Sequence, residues 1–151
     1  MYHATGWRFL SLGRAIERAW STASMLVGFT QPDTPHGTYE IAIEAGDAVM
    51  THRMRFSAAF TRETVLDLLL LDENYPRSVL AQLDDILGHL DWLEKLTHDL
   101  SGKPTPIRAE VMKLRTELAT TPAQQITPAR LVEISNATAA FSGLLADTYL
   151  R

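Results

Sequence analysis

The sequence contains no cysteine among its 151 residues, which excludes a disulfide scaffold, a thiol nucleophile and a metal site with cysteine ligands. Long hydrophobic runs are also missing. The longest, from 65 to 71, contains Asp67 and is far shorter than the roughly 20 residues of a membrane span. The formal net charge is −4, so the basic excess of a general nucleic-acid binder is absent. We therefore expect a soluble, cytoplasmic protein that binds neither nucleic acid nor membrane.

Strict alternation of apolar and polar residues, the pattern of a half-buried strand, does not occur over any useful length. Seven prolines instead separate segments with helical periodicity, and proline costs about 3 kcal/mol or more inside a helix but is tolerated in its first turn. The pattern predicts one all-α domain over residues 1–151, a helical bundle of about six helices. The predicted helices span residues 5–29, 38–57, 61–72, 76–100, 106–120 and 128–150.

Local signals refine these helices. Thr38, Thr61 and Thr127 stand where helix N-caps are expected, and Pro128 follows at a first helical position. The segment 65–71 is apolar around nearly its whole circumference, which predicts a helix in the middle of the bundle. Glycines inside the predicted helices are interpreted as close helix–helix contacts; they are Gly13, Gly46, Gly88 and Gly143.

The first helix combines an apolar stripe with charges. At 100° per residue the stripe consists of Phe9, Leu12, Ile16, Trp20, Ala23 and Val27. Trp7 and Met25 lie on the far side beside two arginines, which predicts that the helix is covered on two sides. We therefore expect Arg14, Glu17 and Arg18 to be partly desolvated and paired, because an unpaired buried ion costs several kcal/mol.

Two segments carry a family resemblance. Residues 6–19, GWRFLSLGRAIERA, and residues 68–79, LLLLDENYPRSV, resemble the signature of the bacterial Alpha-E family, a helical domain named for its Glu-Arg motif. Family members are typically longer than this chain, which resembles their C-terminal half.

The resemblance implies a cellular context without an established activity. Members of the family are usually encoded beside a circularly permuted ATP-grasp ligase and a transglutaminase-like protease homologue. This neighbourhood implies a role in a peptide or amide ligation and modification system, with either protein as a partner.

The candidate binding residues are Arg14, Glu17, Arg18, Arg77 and Asp72. In one interpretation they form an internal ion-pair network that fixes how helices dock. Arg14 would then pair with Glu17, three residues away. Arg18 would reach Asp67 or Asp72, and Arg77 would have a tertiary partner such as Glu17 or a carbonyl. In the other interpretation the three arginines line a pocket that receives a carboxylate or phosphate.

Catalytic and metal-binding patterns are not recognisable. The chain has no Gly-x-Ser-x-Gly elbow, no phosphate-cradling glycine loop and no Glu-x-x-His pair of the di-iron type. Asp85 with His89, and Glu94 with His98, are pairs that commonly occur on solvated helices. No cofactor and no metal are predicted.

We expect a non-catalytic helical module that binds a partner protein or assembles as a homo-oligomer. The alternative is an enzyme or substrate-binding accessory that uses the arginine pocket.

Overall fold

The computed structural model describes residues 2–56, 59–97 and 101–151. These residues contain α-helices and no strand, which confirms the all-α fold class. The helices are α1 (Tyr2–Phe29), α2 (Thr38–Ala45), α3 (Val49–Phe56), α4 (Arg62–Leu66), α5 (Val79–Thr97), α6 (Pro106–Thr120) and α7 (Pro128–Tyr149). Helix α4 continues as a π-helix (Asp67–Leu71), and a 3-10 turn (Ala123–Gln125) precedes α7. The predicted helix ends at 57 and 100 lie outside the described residues.

Four long helices form an antiparallel bundle. Helix α1 packs against α5 and α7, and α6 packs against the same two helices. Phe9 near the start of α1 contacts Tyr149 at the end of α7, with ring centroids 5.8 Å apart. Arg108 at the start of α6 pairs with Glu94 near the end of α5 at 3.1 Å. An ion pair likewise joins the end of α6 to the start of α7. None of the described helices is long and apolar enough to cross a membrane.

Helix α1 supplies one wall of the hydrophobic core. Its buried side chains recur every three or four residues and are Leu12, Ala15, Ile16, Ala19, Ala23 and Leu26. Burial of each large aliphatic side chain contributes about 1.5–3 kcal/mol. The prediction that Trp20 belongs to this stripe is wrong, because Trp20 is 46% exposed. The buried side of α1 is centred near Ala19, so Trp20 lies beyond its edge.

The apolar segment 65–71 is largely buried, and its π-helical part contacts α1, α5 and α6. Its buried members are completely covered and are Val65, Leu66, Leu68, Leu69 and Leu70. The last five residues of the segment are π-helical, a geometry that is rare and often occurs at functional sites. Asp67 is half-buried there, and burial of its carboxyl group raises its pKa.

The predicted helix 38–57 is interrupted, so that prediction is wrong. Asp47 has φ +53°, in the left-handed region that non-glycine residues seldom adopt. The amide of Ala48 donates to the carbonyl of Ile43 at 2.9 Å and closes the turn between α2 and α3. Gly46 lies in this turn, where a Cβ atom would approach Leu69 Cδ2 to 2.7 Å. A close contact at Gly46 is therefore confirmed, although it lies in a turn.

The other helix glycines do not mark close contacts. A Cβ atom at Gly13, Gly88 or Gly143 would meet nothing within 4 Å, so that interpretation is wrong for these three positions. They lie on exposed helix surface.

The predicted N-caps are confirmed at two positions. Thr61 forms a capping box with Thr64, and the Thr127 hydroxyl accepts a hydrogen bond from the Arg130 amide at 3.0 Å. Thr38 is not a cap. It is the first residue of α2, preceded by Gly37 with φ +87°, and its hydroxyl donates to the Pro35 carbonyl at 2.7 Å.

Candidate functional site

The Glu-Arg segment of α1 faces outward. Arg14, Glu17 and Arg18 are exposed, and none of them forms an ion pair or hydrogen bond with another residue that the structure describes. The predicted burial of these side chains and the Arg14–Glu17 pair are therefore wrong. Helix α1 is covered on two sides by α5 and α7, but these sides adjoin each other. The third side stays open, and the charges lie on it.

Apolar side chains accompany these charges. Trp7 is 55% exposed and Leu10 is 54% exposed, and both lie on the same open side of α1 as Arg14 and Glu17. The four residues are spaced by three or four positions, so they form a continuous line along the helix. We call Trp7, Leu10, Arg14 and Glu17 the outer face of α1. Tryptophan and arginine are the residues that most often dominate binding energy at protein interfaces.

Asp72 forms several interactions within the turn that precedes α5. Its carboxylate pairs with Arg55 at 2.7 Å and accepts a hydrogen bond from the Asn74 amide at 2.9 Å. Its carbonyl accepts from the Ser78 hydroxyl at 2.5 Å, and Ser78 in turn accepts from the Ala81 amide at the start of α5. Asp72 therefore organises the turn that leads into α5. The predicted pairing of Arg18 with Asp72 or Asp67 is wrong, since no such pair exists among the described residues.

Arg77 has a tertiary partner, as expected, but the partner is not Glu17. Its guanidinium lies 3.2 Å from the carboxylate of Asp47, in the turn between α2 and α3. Both side chains are largely exposed, at 63% and 74%. Such an exposed pair contributes at most about 1 kcal/mol to stability. Most of the donors of Arg77 remain accessible to solvent.

A cavity of about 560 Å³ lies where α1, the end of α2, the π-helix and α5 meet. Its lining residues are Arg18, Ser21, Thr22, Ala45, Gly46, Leu69, Pro76, Arg77, Gln82 and Asp85. Arg18 and Arg77 thus share one cavity, as two of the three arginines that the pocket interpretation of the sequence brings together. Arg14, Glu17 and Asp72 do not line it. A volume of this size is typical of small-molecule sites.

Gln82 is the buried polar member of this lining, at 3% exposure. Its Nε2 donates to the carbonyl of Pro76 at 2.6 Å, which fixes the orientation of the amide because a carbonyl can only accept. Its Oε1 is buried and has no hydrogen-bond partner among the described residues. A buried acceptor without a partner costs about 1–3 kcal/mol, and native structures contain few of them.

The wall of the cavity opposite α5 is held in place by Tyr75. The phenol donates to the carbonyls of Gly46 at 2.8 Å and Asp47 at 3.0 Å, and burial raises its pKa. These two hydrogen bonds and the Gly46–Leu69 contact fix the turn that carries Asp47. Strained backbone such as the positive φ of Asp47 persists where the surroundings hold it, and it is common at binding sites.

A second cluster escaped sequence analysis. The Arg8 guanidinium lies 5.0 Å from the Trp7 ring centroid and 4.9 Å from that of Trp92, within cation–π range of both. It also approaches His89 Nδ1 at 3.2 Å. Burial and the neighbouring Arg8 lower the pKa of His89, while Asp85 opposes them. Trp7 and Arg8 were visible in the sequence, but their α5 partners depend on how the two helices align.

No group of three metal-binding side chains occurs within the described ranges 2–56, 59–97 and 101–151. His89, which the sequence pairs with Asp85, lies 3.2 Å from the Arg8 guanidinium, and a guanidinium there disfavours a metal ion on the His89 ring. His98, the partner considered for Glu94, lies outside the described residues.

These features define an all-α domain with a charged outer helix face and an arginine-lined cavity. A sequence model of the Alpha-E family, described as a predicted alpha-helical domain with a conserved ER motif, matches residues 1–150. The chain belongs to the Alpha-E family, which confirms the resemblance seen in the sequence. Glu17 and Arg18 are the Glu-Arg pair of the resembling segment.

Three curated relatives share 29% identity with the chain over 116 residues. One is an uncharacterised protein of Mycobacterium bovis (strain ATCC BAA-935 / AF2122/97), and two are uncharacterised proteins of Mycobacterium tuberculosis (strains CDC 1551 / Oshkosh and ATCC 25618 / H37Rv). The matched segment covers 74% of this chain and 12% of each relative. The chain therefore spans a small part of the length of these proteins. No solved structure matches the chain.

Proposed function

We propose that this domain is a non-catalytic interaction module and that the outer face of α1 is its docking surface. The observation that carries the proposal is the exposure of the Glu-Arg segment together with Trp7 and Leu10. An apolar pair and charges of both signs along one open helix side have the chemistry of an interface.

The charged side chains on this face are available for docking, because they do not stabilise the domain through ion pairs within it. Arg14 and Glu17 have no ion-pair partner among the described residues, so their guanidinium and carboxylate groups are available to another molecule. Arginine binds carboxylates in a planar, bidentate arrangement that gives directional recognition. A partner that presents an acidic group opposite Arg14 and a basic group opposite Glu17 would fit this pattern.

The partner that we propose is the ATP-grasp ligase encoded beside members of the family, as the resemblance implies. The domain would then serve a peptide or amide ligation and modification system by holding the ligase or positioning it. A transglutaminase-like protein is the other neighbour, and a second copy of this chain is a third candidate. Self-assembly is tested as an alternative outcome of the experiment below.

The experiment is a titration of the purified chain with the neighbouring ATP-grasp ligase by isothermal calorimetry. We expect saturable binding, and we expect Trp7→Ser and Arg14→Glu each to raise the Kd at least tenfold. Central tryptophan and arginine residues commonly have effects of that size. The matched control is Met54→Ser on α3, because Met54 is also an exposed apolar side chain, at 85%. It should leave the Kd within about twofold, as for a surface change outside an interface.

Other results would refute parts of the proposal. Binding that survives both outer-face substitutions would place the interface elsewhere on the domain. An absence of binding would reject the ligase as partner. Light scattering that shows a dimer of this chain, dissociated by Trp7→Ser but not by Met54→Ser, would assign the outer face to self-assembly.

A further inference from the structure

The cavity beside Arg18 has chemical features that the outer face does not use. It lies between α1, the end of α2, the π-helix and the start of α5, so four parts of the chain contribute to it. A site assembled in this way has a definite shape, because the helices that form it are fixed by the core. The rim is held further by the bonds from Tyr75 to Gly46 and Asp47.

Two arginines make one part of the lining cationic. Arg18 forms no ion pair with any described residue, and Arg77 contacts only the exposed carboxylate of Asp47. Each guanidinium has five N–H donors, so both retain donors for a ligand. Two guanidinium groups in one cavity favour an anion, and carboxylate and phosphate are the anions whose geometry matches their donors.

The rest of the lining includes an unpartnered acceptor and a carboxylate, both of which attract a hydrogen-bond donor or a cation. Gln82 has a buried Oε1 acceptor without a partner, and Asp85 is an exposed carboxylate that forms no ion pair with a described residue. The two residues are three positions apart on α5, so they are neighbours on one face of the helix. An inorganic phosphate would satisfy the arginines but would be repelled by Asp85 and would leave Gln82 Oε1 without a donor.

A ligand with both charges fits this arrangement better. We propose that the cavity binds a small zwitterion of the amino-acid or short-peptide class, with its carboxylate at Arg18 and Arg77 and its ammonium group at Gln82 and Asp85. The hydroxyls of Ser21 and Thr22 add hydrogen-bonding groups to the same lining. The proposal does not depend on docking by the outer face, since Arg18 is the part of the Glu-Arg pair that lines the cavity and Glu17 does not.

The test is ligand-observed NMR with the intact chain, using the common L-amino acids and L-alanyl-L-alanine as probes. We expect saturable binding of at least one probe with a Kd of order 1 mM, the range for a few polar contacts. The best probe is then compared with its carboxamide and with its N-acetyl form. Each loses one charge, and each should bind at least tenfold more weakly. A preference for free amino acids or for the dipeptide distinguishes the two sources of this chemistry.

Variants connect the binding to the cavity. Arg18→Ala should raise the Kd at least tenfold, while Arg53→Ala on α3 removes another exposed arginine, one outside the lining, and should leave the Kd within about twofold. Asp85→Asn should weaken binding of the zwitterion and abolish the preference of the domain for the zwitterion over its N-acetyl form. That loss of discrimination measures the coupling between Asp85 and the ammonium group. Both cavity residues are exposed, so these variants should keep the fold, which circular dichroism can verify.

Three results would overturn the proposal. One is the absence of saturable binding by every probe at about 10 mM, tenfold above the expected Kd. Another is equal binding of inorganic phosphate or of the N-acetyl form, which would make the cavity a simple anion site. The third is an equal loss with Arg18→Ala and Arg53→Ala, which would indicate nonspecific charge attraction.

Discussion

Gly46 lies directly against Leu69, so that a Cβ atom on Gly46 would come within 2.7 Å of Leu69 Cδ2. Leu69 is completely buried in the π-helix. We predict that Gly46→Ala destabilises the domain by about 1–3 kcal/mol, because an extra methyl group in a packed site forces a shift. Urea denaturation monitored by circular dichroism measures this change in the free energy of unfolding.

Gly13→Ala is the matched control. Gly13 is exposed in the middle of α1, and a Cβ atom there would meet nothing within 4 Å. Alanine should stabilise this helix position by up to about 1 kcal/mol relative to glycine. Equal effects of the two substitutions would show that the Gly46–Leu69 contact does not constrain the turn.

A second prediction concerns pH. The completely buried imidazole of His52 stacks on Phe60 with ring centroids 4.4 Å apart, and burial lowers its pKa below the ordinary 6.5. Below pH 6.5 the unfolded chain therefore binds a proton that the folded chain excludes. The contribution to stability is complete above that pH and is lost as the pH falls, by at most about 1.4 kcal/mol per pH unit.

His52→Gln should remove this contribution. The free energy of unfolding, measured at several values between about pH 5 and 7, should decrease less steeply with falling pH in the variant than in the wild type. His89 also has a lowered pKa and contributes a slope of the same sign, so a residual dependence is expected. Identical slopes in variant and wild type would contradict the prediction for His52.

A third prediction concerns Tyr75, whose hydroxyl donates to the carbonyls of Gly46 and Asp47. Tyr75→Phe should destabilise the domain by about 1–3 kcal/mol, because it leaves these carbonyls without their donor. Tyr39→Phe is the control, since the Tyr39 hydroxyl makes no hydrogen bond to another described residue. Faster amide hydrogen exchange at 46–48 should accompany only the first substitution. Unchanged exchange at this turn would show that Tyr75 does not hold it.

A fourth prediction separates structure from binding at Asp72. Asp72→Ala should lower stability by about 1 kcal/mol, because the turn before α5 loses its hydrogen bond to the Asn74 amide and its pair with Arg55. Asp72→Asn keeps an oxygen at Oδ1 and should lose less. Neither should change zwitterion binding by NMR, since Asp72 does not line the cavity. A loss of binding in the stable Asn variant would show that Asp72 takes part in binding.

Several helices were predictable because local chemistry defines their ends. The bounds of α6 agree with the prediction, and α7 ends one residue earlier than predicted. Pro106 and Pro128 occupy first-turn positions, each after a threonine N-cap. The break between α2 and α3 was not predictable from the same signals. It depends on Leu69 and Tyr75, which contact that turn from other parts of the chain.

The candidate site was predicted in part. Sequence analysis singled out Arg18 and Arg77 as possible members of one pocket, and they do line one cavity. It also predicted buried ion pairs for Arg14 and Glu17, which are exposed. Helical periodicity gives the angle between two side chains on one helix, but it does not tell which side the neighbouring helices cover. Gln82 gave no signal, because a single glutamine in a predicted helix has no characteristic spacing.

The order of amino acids was enough to determine that this chain is helical, where most helices begin and end, and which family it belongs to. These properties follow from interactions within a few residues: proline geometry, threonine caps and the spacing of apolar side chains. Only the tertiary structure decided that the Glu-Arg segment faces outward and that Arg18, Arg77 and Gln82 share a cavity. Those facts depend on how α1, the α2–α3 turn and α5 pack together, and packing is set by all the buried contacts at once.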